Sequence, residues 1–164
     1  MAHVEYMNRI RDYYLSQGYE KSYVWSHYEE VPFVPLKKPL SECQVTLFST
    51  SDVSIKSAAD EGPSEAETTV GNVYSIPWDT PLDKLYSRQE SFDRYATSLD
   101  DINSYLPLTR LDEFAAEGRF AGRTANFHNI NRGYSQRMML EQAAPAALRK
   151  CRDEAADVVI LTPV

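Results

Sequence analysis

The sequence predicts an α/β fold: a mostly parallel, Rossmann-like sheet with flanking helices, expected to be incomplete at its C-terminus. Three observations carry that reading. "DVVILTPV", Asp157–Val164, holds the unbroken apolar run Val158–Leu161, the pattern of a strand buried on both faces of a parallel sheet. "CQVTLFST", Cys43–Thr50, is a second strand pattern, far earlier in the chain. Between them lie helical patterns, so strands and helices alternate as α/β proteins require.

Taken in order, residues 4–17 predict an amphipathic helix. Val4, Met7, Ile10 and Tyr14 recur at three- and four-residue spacing, and Gly18 supplies the stop. Residues 19–42 are rich in aromatics (Tyr19, Tyr23, Trp25, Tyr28, Phe33) and prolines (Pro32, Pro35, Pro39), which forbid a helix. They predict an ordered arm, because the aromatics have surface to bury. Residues 1–42 are thus a helix and arm, and 43–164 the α/β domain.

Cys43–Thr50 is the first strand of that domain. The acidic, turn-rich stretch 56–69 is a surface loop, and "NVYSIP", Asn72–Pro77, a second short strand. Pro81 suits the first position of a helical turn capped by Thr80, and Ser98–Pro107 holds one turn. Thr109–Gly118 is a clearer helix. Thr109 with Asp112 reads as a capping box, Gly118 as the stop, and Leu111, Phe114 and Ala115 as the buried face. "RFAGRTANFHNINRGY" reads as a loop. A long helical pattern runs from Ser135 to about Ala155, which Pro145 must kink or split.

Composition narrows the function. The chain has 164 residues, 43% hydrophobic and 25% charged, enough for one domain with a real core. Its 24 acidic and 17 basic residues give a net charge of −7, which argues against a nucleic-acid surface. The basic runs "LKK" and "RKCR" are too short to reverse that. No apolar stretch approaches the roughly 20 residues that span a bilayer. The N-terminus lacks a signal-peptide core, so a cytoplasmic protein is expected, with no membrane partner. Cys43 and Cys151 form no CxxC or metal-ligand spacing.

Three groups of residues can carry chemistry. "STSD", Ser49–Asp52, follows the first strand, where α/β sheets bind ligands; its hydroxyls suit an anion or carboxylate, or else bond their own backbone. Asp93, between an aromatic and Arg94, is a better functional candidate than Asp100 and Asp101, which fit solvated acids near a helix start. His128 lies between Asn126 and Asn129, amides that can orient an imidazole. Asp93 with His128 also admits a metal-dependent hydrolase. Cys151 has basic neighbours that can lower a thiol pKa, although such charges are more often a solvated helix face.

These pieces also occur together in one known family. "VPFVPLKKPLSECQVTLFSTSDV", "VYSIPWDTP", "FDR", "DDINSYLPLTRLDEFAAEGRFAG", a His-containing loop and "ADVVILTPV" succeed one another over roughly residues 24–164. In this the chain resembles the selenoprotein B family of glycine, sarcosine, betaine and D-proline reductases, and most closely its short bacterial members. The resemblance implies reductive cleavage of a small amino-acid-like substrate by a selenol or thiol. The expected substrate contacts, chosen from the residues themselves, are Ser49, Thr50, Asp93, His128 and Thr162, with a partner reductase subunit or thiol electron donor. No separate cofactor and no metal are expected.

In the short relatives the redox residue directly succeeds the strand equivalent to "ADVVILTPV". Here it would be residue 165, lost if a selenocysteine UGA codon was read as a stop. The glycine usual in the loop after the relatives' first strand is replaced by "STSDV". The alternative reading is a non-catalytic small-acid-binding α/β protein, or an inactive fragment, acting with a partner subunit.

Overall fold

The structure is a computed structural model that describes residues 5–22, 28–56, 62–90, 92, 95 and 98–164. Two compact units divide between Pro35 and Leu36.

In the first unit, helix α1 (Tyr6–Ser16) ends at Gly18, whose φ of +87° is the left-handed conformation a glycine stop provides. Tyr14 meets Tyr13 and Tyr19 edge-on, yet no residue of α1 is buried. Residues 28–35 carry no regular structure, and Val31, Phe33 and Val34 stand exposed. The burial expected of the arm's aromatic surface is therefore not seen at Phe33.

The second unit is a mixed α/β structure around a mostly parallel sheet. Its strands are β1 (Gln44–Ser49), β3 (Val73–Pro77), β5 (Gly122–Arg123), β6 (Asn126–Ile130) and β7 (Val158–Thr162). A separate antiparallel pair is formed by β2 (Val53–Ile55) and β4 (Leu85–Ser87). Strand β1 is central. β5 and β6 succeed one another along one side of it, β7 takes the other, and all three run parallel to β1. Strand β3 closes the β6 side antiparallel.

Register fixes which residues share a face, because side chains alternate along a strand. Val45, Leu47 and Ser49 lie level with Val158, Ile160 and Thr162. Of these, Val45, Leu47, Val158 and Ile160 build the larger core with Tyr74, Ile76 and Phe127, closed by Leu106, Leu108, Leu111, Phe120 and Trp78. On the opposite face Phe48 and Val73 pack with Ala143, Met139, Ala146, Ala147 and Cys151.

Helix formation differs from expectation at both predicted helices of this unit. Helix α3 (Leu108–Ala116) starts one residue before Thr109, with no side-chain cap at Pro107. Thr109 Oγ1 donates instead to Asn103 Oδ1 (2.6 Å), and Asp112 accepts from Arg123 (2.6 Å), so the capping box does not form. Leu108 and Leu111 are the buried face, whereas Phe114 is exposed beneath the Arg119 guanidinium. Gly118, at φ +72°, does end the helix.

The long C-terminal pattern becomes α4 (Gln136–Met138), a π-helical turn (Met139–Ala143) and α5 (Ala144–Asp153). Pro145 sits where the π-helical turn passes into α5, and that widened turn accommodates its ring and its missing N–H within an otherwise continuous helix. Between β2 and β3 lies α2 (Glu65–Thr68), closed by a Ser64/Glu67 capping box in a stretch expected to be loop. The chain then makes a tight turn at Gly71 (φ +79°). A Cβ there would stand 2.5 Å from Met138 Sδ. Gly71→Ala is expected to destabilise the fold by about 1–2 kcal/mol, the weight of one left-handed residue, in urea unfolding.

Two predictions about strands need correction. "NFHNI" is not loop but the interior strand β6, with Phe127, His128 and Asn129 buried. β7 is parallel as expected, but it is not buried on both faces. Among the described residues it pairs with β1 alone, at the sheet edge, and Val159 and Leu161 are 42% and 68% exposed. Its inward residues reach the larger core, while the helix on the other face covers β1 and β6 rather than β7.

An apolar edge strand of this kind is an association hazard. Sedimentation at high concentration is expected to show self-association that Leu161→Lys removes. A wild-type chain that stays monomeric throughout contradicts this. Among the described residues, no helix is long and apolar enough to cross a membrane.

Candidate functional site

The loops after β1 and β6 leave the sheet on opposite faces. After β1 the chain packs Val53 and Leu85 into the larger core, whereas after β6 it enters the helix that brings Met139 and Ala143 to the other side. In α/β sheets the crevice outside the carboxyl ends of two such adjacent parallel strands is the place where ligands bind.

The β1 end is a dense polar knot. Ser49 Oγ lies 2.7 Å from Ser51 Oγ, accepts from the Ser51 N–H (3.2 Å), and faces the carbonyls of Tyr105 (3.1 Å) and Thr162 (3.2 Å). One hydroxyl has one proton, so these acceptors compete for it. Ser87 Oγ donates to the Ser51 carbonyl. Ser49 and Ser51 are thus buried and committed to protein partners, the second of the two roles their sequence allowed.

Thr50 points differently. Its Oγ1 accepts from the Val164 N–H (3.0 Å) and donates to the Val164 carbonyl (3.4 Å), which also receives Gln89 Nε2 (3.5 Å). Thr162 Oγ1 donates to the Phe48 carbonyl (3.3 Å). Ser49, Thr50 and Thr162 therefore do come together, because they end neighbouring parallel strands.

Three further residues complete the crevice. Asp52 has φ +50°, the left-handed conformation that Asp and Asn adopt more readily than other non-glycine residues. Its Oδ2 lies 3.9 Å from Arg132 Nε across the crevice, and its Oδ1 is buried without a hydrogen-bond partner. Asn129 is fully buried. Its Oδ1 accepts from the Val53 N–H (3.3 Å), and its Nδ2 has no partner. Buried donors and acceptors are nearly always satisfied, so this orphan acceptor and donor call for a polar partner, a water or a ligand group. Below them, Tyr74 donates to the Val53 carbonyl (2.8 Å), and burial pushes its pKa up to about 12. Beside the knot opens a cleft of about 430 Å³, lined in part by Ser87, Leu99 and Tyr105.

The remaining candidates fall elsewhere. Asp93 lies outside the described residues. His128 is level with Phe48, and so faces away from Ser49, under α5. Cys151 is half-buried, and burial pushes its thiol pKa up, the reverse of activation by its basic neighbours. Among the described residues no cluster of three His, Cys, Asp or Glu side chains could hold a metal. Sequence reasoning did not select Asn129 and Arg132. Asn129 becomes visible once "NFHNI" is read as a strand, since it then sits level with Ser49. The chain matches no known protein family, no curated protein and no solved structure.

Proposed function

We propose that this chain is the sheet-forming part of a reductase similar to the glycine, sarcosine, betaine and D-proline reductases. A small amino-acid-like substrate occupies the crevice between β1 and β6. The reacting selenol or thiol belongs to the residue after Val164. On this reading the sheet is a Rossmann-like core that continues past β7, and a further helix covers Val159 and Leu161.

The observation that supports this most is the anchoring of Val164 by Thr50 and Gln89. A residue bonded to Val164 starts at the carboxyl edge that Asp52, Asn129 and Arg132 share. The crevice chemistry fits a zwitterion. Arg132 and Asn129 Nδ2 supply donors for a carboxylate, and Asp52 supplies an acceptor for an ammonium group. A partner subunit or thiol supplies the electrons.

The second reading, a non-catalytic small-acid-binding protein, uses the same Asn129 and Asp52 and needs nothing beyond Val164. Reading the codon after Val164 and the frame beyond separates them. The reductase reading expects UGA or a cysteine codon and then an open frame. UAA or UAG, or UGA with no downstream frame and no selenocysteine insertion element, leaves only the binding reading.

A further inference from the structure

The face of the sheet opposite the crevice carries a chain of polar groups that the proposed reductase chemistry does not use. His128, 0% exposed, sits on β6 beneath α5. Its Nδ1 lies 3.0 Å from Ser75 Oγ on the neighbouring strand β3, and Ser75 is exposed. Lys150 Nζ, from α5, donates to the same oxygen at 2.7 Å. On the other side of the ring, Glu154 Oε1 stands 3.8 Å from His128 Nε2. That carboxylate is fixed by Asn126, whose N–H (3.1 Å) and Nδ2 (2.7 Å) both donate to it.

The available protons orient this chain of groups. Ser75 Oγ accepts from Lys150, and the Glu154 carboxylate facing Nε2 favours the tautomer with the ring proton on Nε2. In that tautomer Nδ1 is unprotonated and accepts the Ser75 hydroxyl proton. Nε2 has no hydrogen-bond partner, and the nearest charge it faces is the Glu154 carboxylate. The order is nucleophile, base, carboxylate, with the two ring nitrogens exchanged relative to the usual serine-hydrolase arrangement.

We propose that Ser75, His128 and Glu154 form a second reactive site, at which Ser75 accepts an acyl group from small activated esters. Ser75 Oγ attacks the ester carbonyl and forms the new C–O bond while its proton passes to His128 Nδ1. The ester C–O bond breaks, and the leaving alkoxide takes that proton. Lys150 stabilises the serine oxygen as charge develops, and Glu154 stabilises the transient imidazolium. Two charged groups face the ring, Lys150 and Glu154, both from the C-terminal helix and its end. Burial lowers the His128 pKa to about 4, so the base is already neutral across the ordinary pH range.

The test is timed exposure of the whole chain to p-nitrophenyl acetate, with each acetylated residue located by peptide mass spectrometry. Ser75 is expected to be acetylated at least about 100-fold faster than the exposed Ser64, Ser98 and Ser135, the range of general-base assistance. Its rate is expected to be level from about pH 6 to 8, because the base is neutral throughout, whereas lysine acetylation climbs roughly tenfold per pH unit. Ser75→Ala removes the label. His128→Gln reduces the rate at Ser75 to that of the other serines. Glu154→Gln, which can keep the bond from Asn126, slows Ser75 without shifting the lysine background. Acetylation of lysines alone, a Ser75 rate equal to the other serines, or a Ser75 rate that climbs with pH as lysine does, overturns the proposal. None of these outcomes depends on the crevice or on any residue after Val164.

Discussion

Lowering the pH from 6.5 to about 4 is expected to remove on the order of 3 kcal/mol of folding stability through His128 alone. The imidazole is fully buried, and desolvation holds its folded pKa at about 4, against 6.5 when unfolded. Glu154 pulls the pKa up and Lys150 pushes it down, but desolvation outweighs both. Between the two values the unfolded chain binds a proton that the folded chain refuses, so stability falls as pH falls through this window. Above 6.5 the group has no effect, and below about 4 the loss is complete. Carboxylates also titrate near pH 4, so the comparison must be with a variant. Urea unfolding of the wild type is expected to steepen its loss between pH 6.5 and 4 relative to His128→Gln. Identical slopes would mean that His128 is not held neutral by burial.

Asn129→Ala is expected to destabilise the fold by about 1–3 kcal/mol and to weaken binding of glycine or D-proline at least tenfold. The stability loss arises because the Val53 N–H loses its buried acceptor, and an orphaned buried donor bears its full desolvation penalty. On the proposed function the binding loss arises because Nδ2, which has no protein partner, serves the ligand carboxylate. Asn129→Asp keeps an oxygen for Val53 but places a buried negative charge where the ligand carboxylate would sit, so it loses stability through charge burial rather than through the Val53 N–H. Calorimetric titration, with unfolding measured alongside, is expected to show binding lost in both variants. Unchanged binding in Asn129→Asp removes Asn129 from the site.

What could be read from the sequence was what local chemistry decides. Gly18 and Gly118 ended helices because only a positive φ fits there. "CQVTLFST" formed the central strand because its apolar residues serve both sheet faces. Ser49, Thr50 and Thr162 converged because parallel strands deliver their carboxyl ends to one edge.

What could not be read depended on distant partners. "NFHNI" has three polar residues in five, and each finds at least one distant partner in the buried strand: Ser75 for His128, Glu154 for Asn126 and the Val53 N–H for Asn129. The run Val158–Leu161 looks equally apolar on both faces. Which face is covered depends on where α5 lies across the sheet, and it lies over β1 and β6. The left-handed backbone of Asp52 leaves no mark in "STSD", since aspartate is ordinary in any turn.

The proposed reductase chemistry rests on the residue bonded to Val164. The mass of the protein purified from its native source, with a selenium assay on the same sample, tests it most directly. A chain heavier than 18.7 kDa is expected, carrying one selenium per chain or a cysteine immediately after Val164. A mass of 18.7 kDa without selenium contradicts that chemistry.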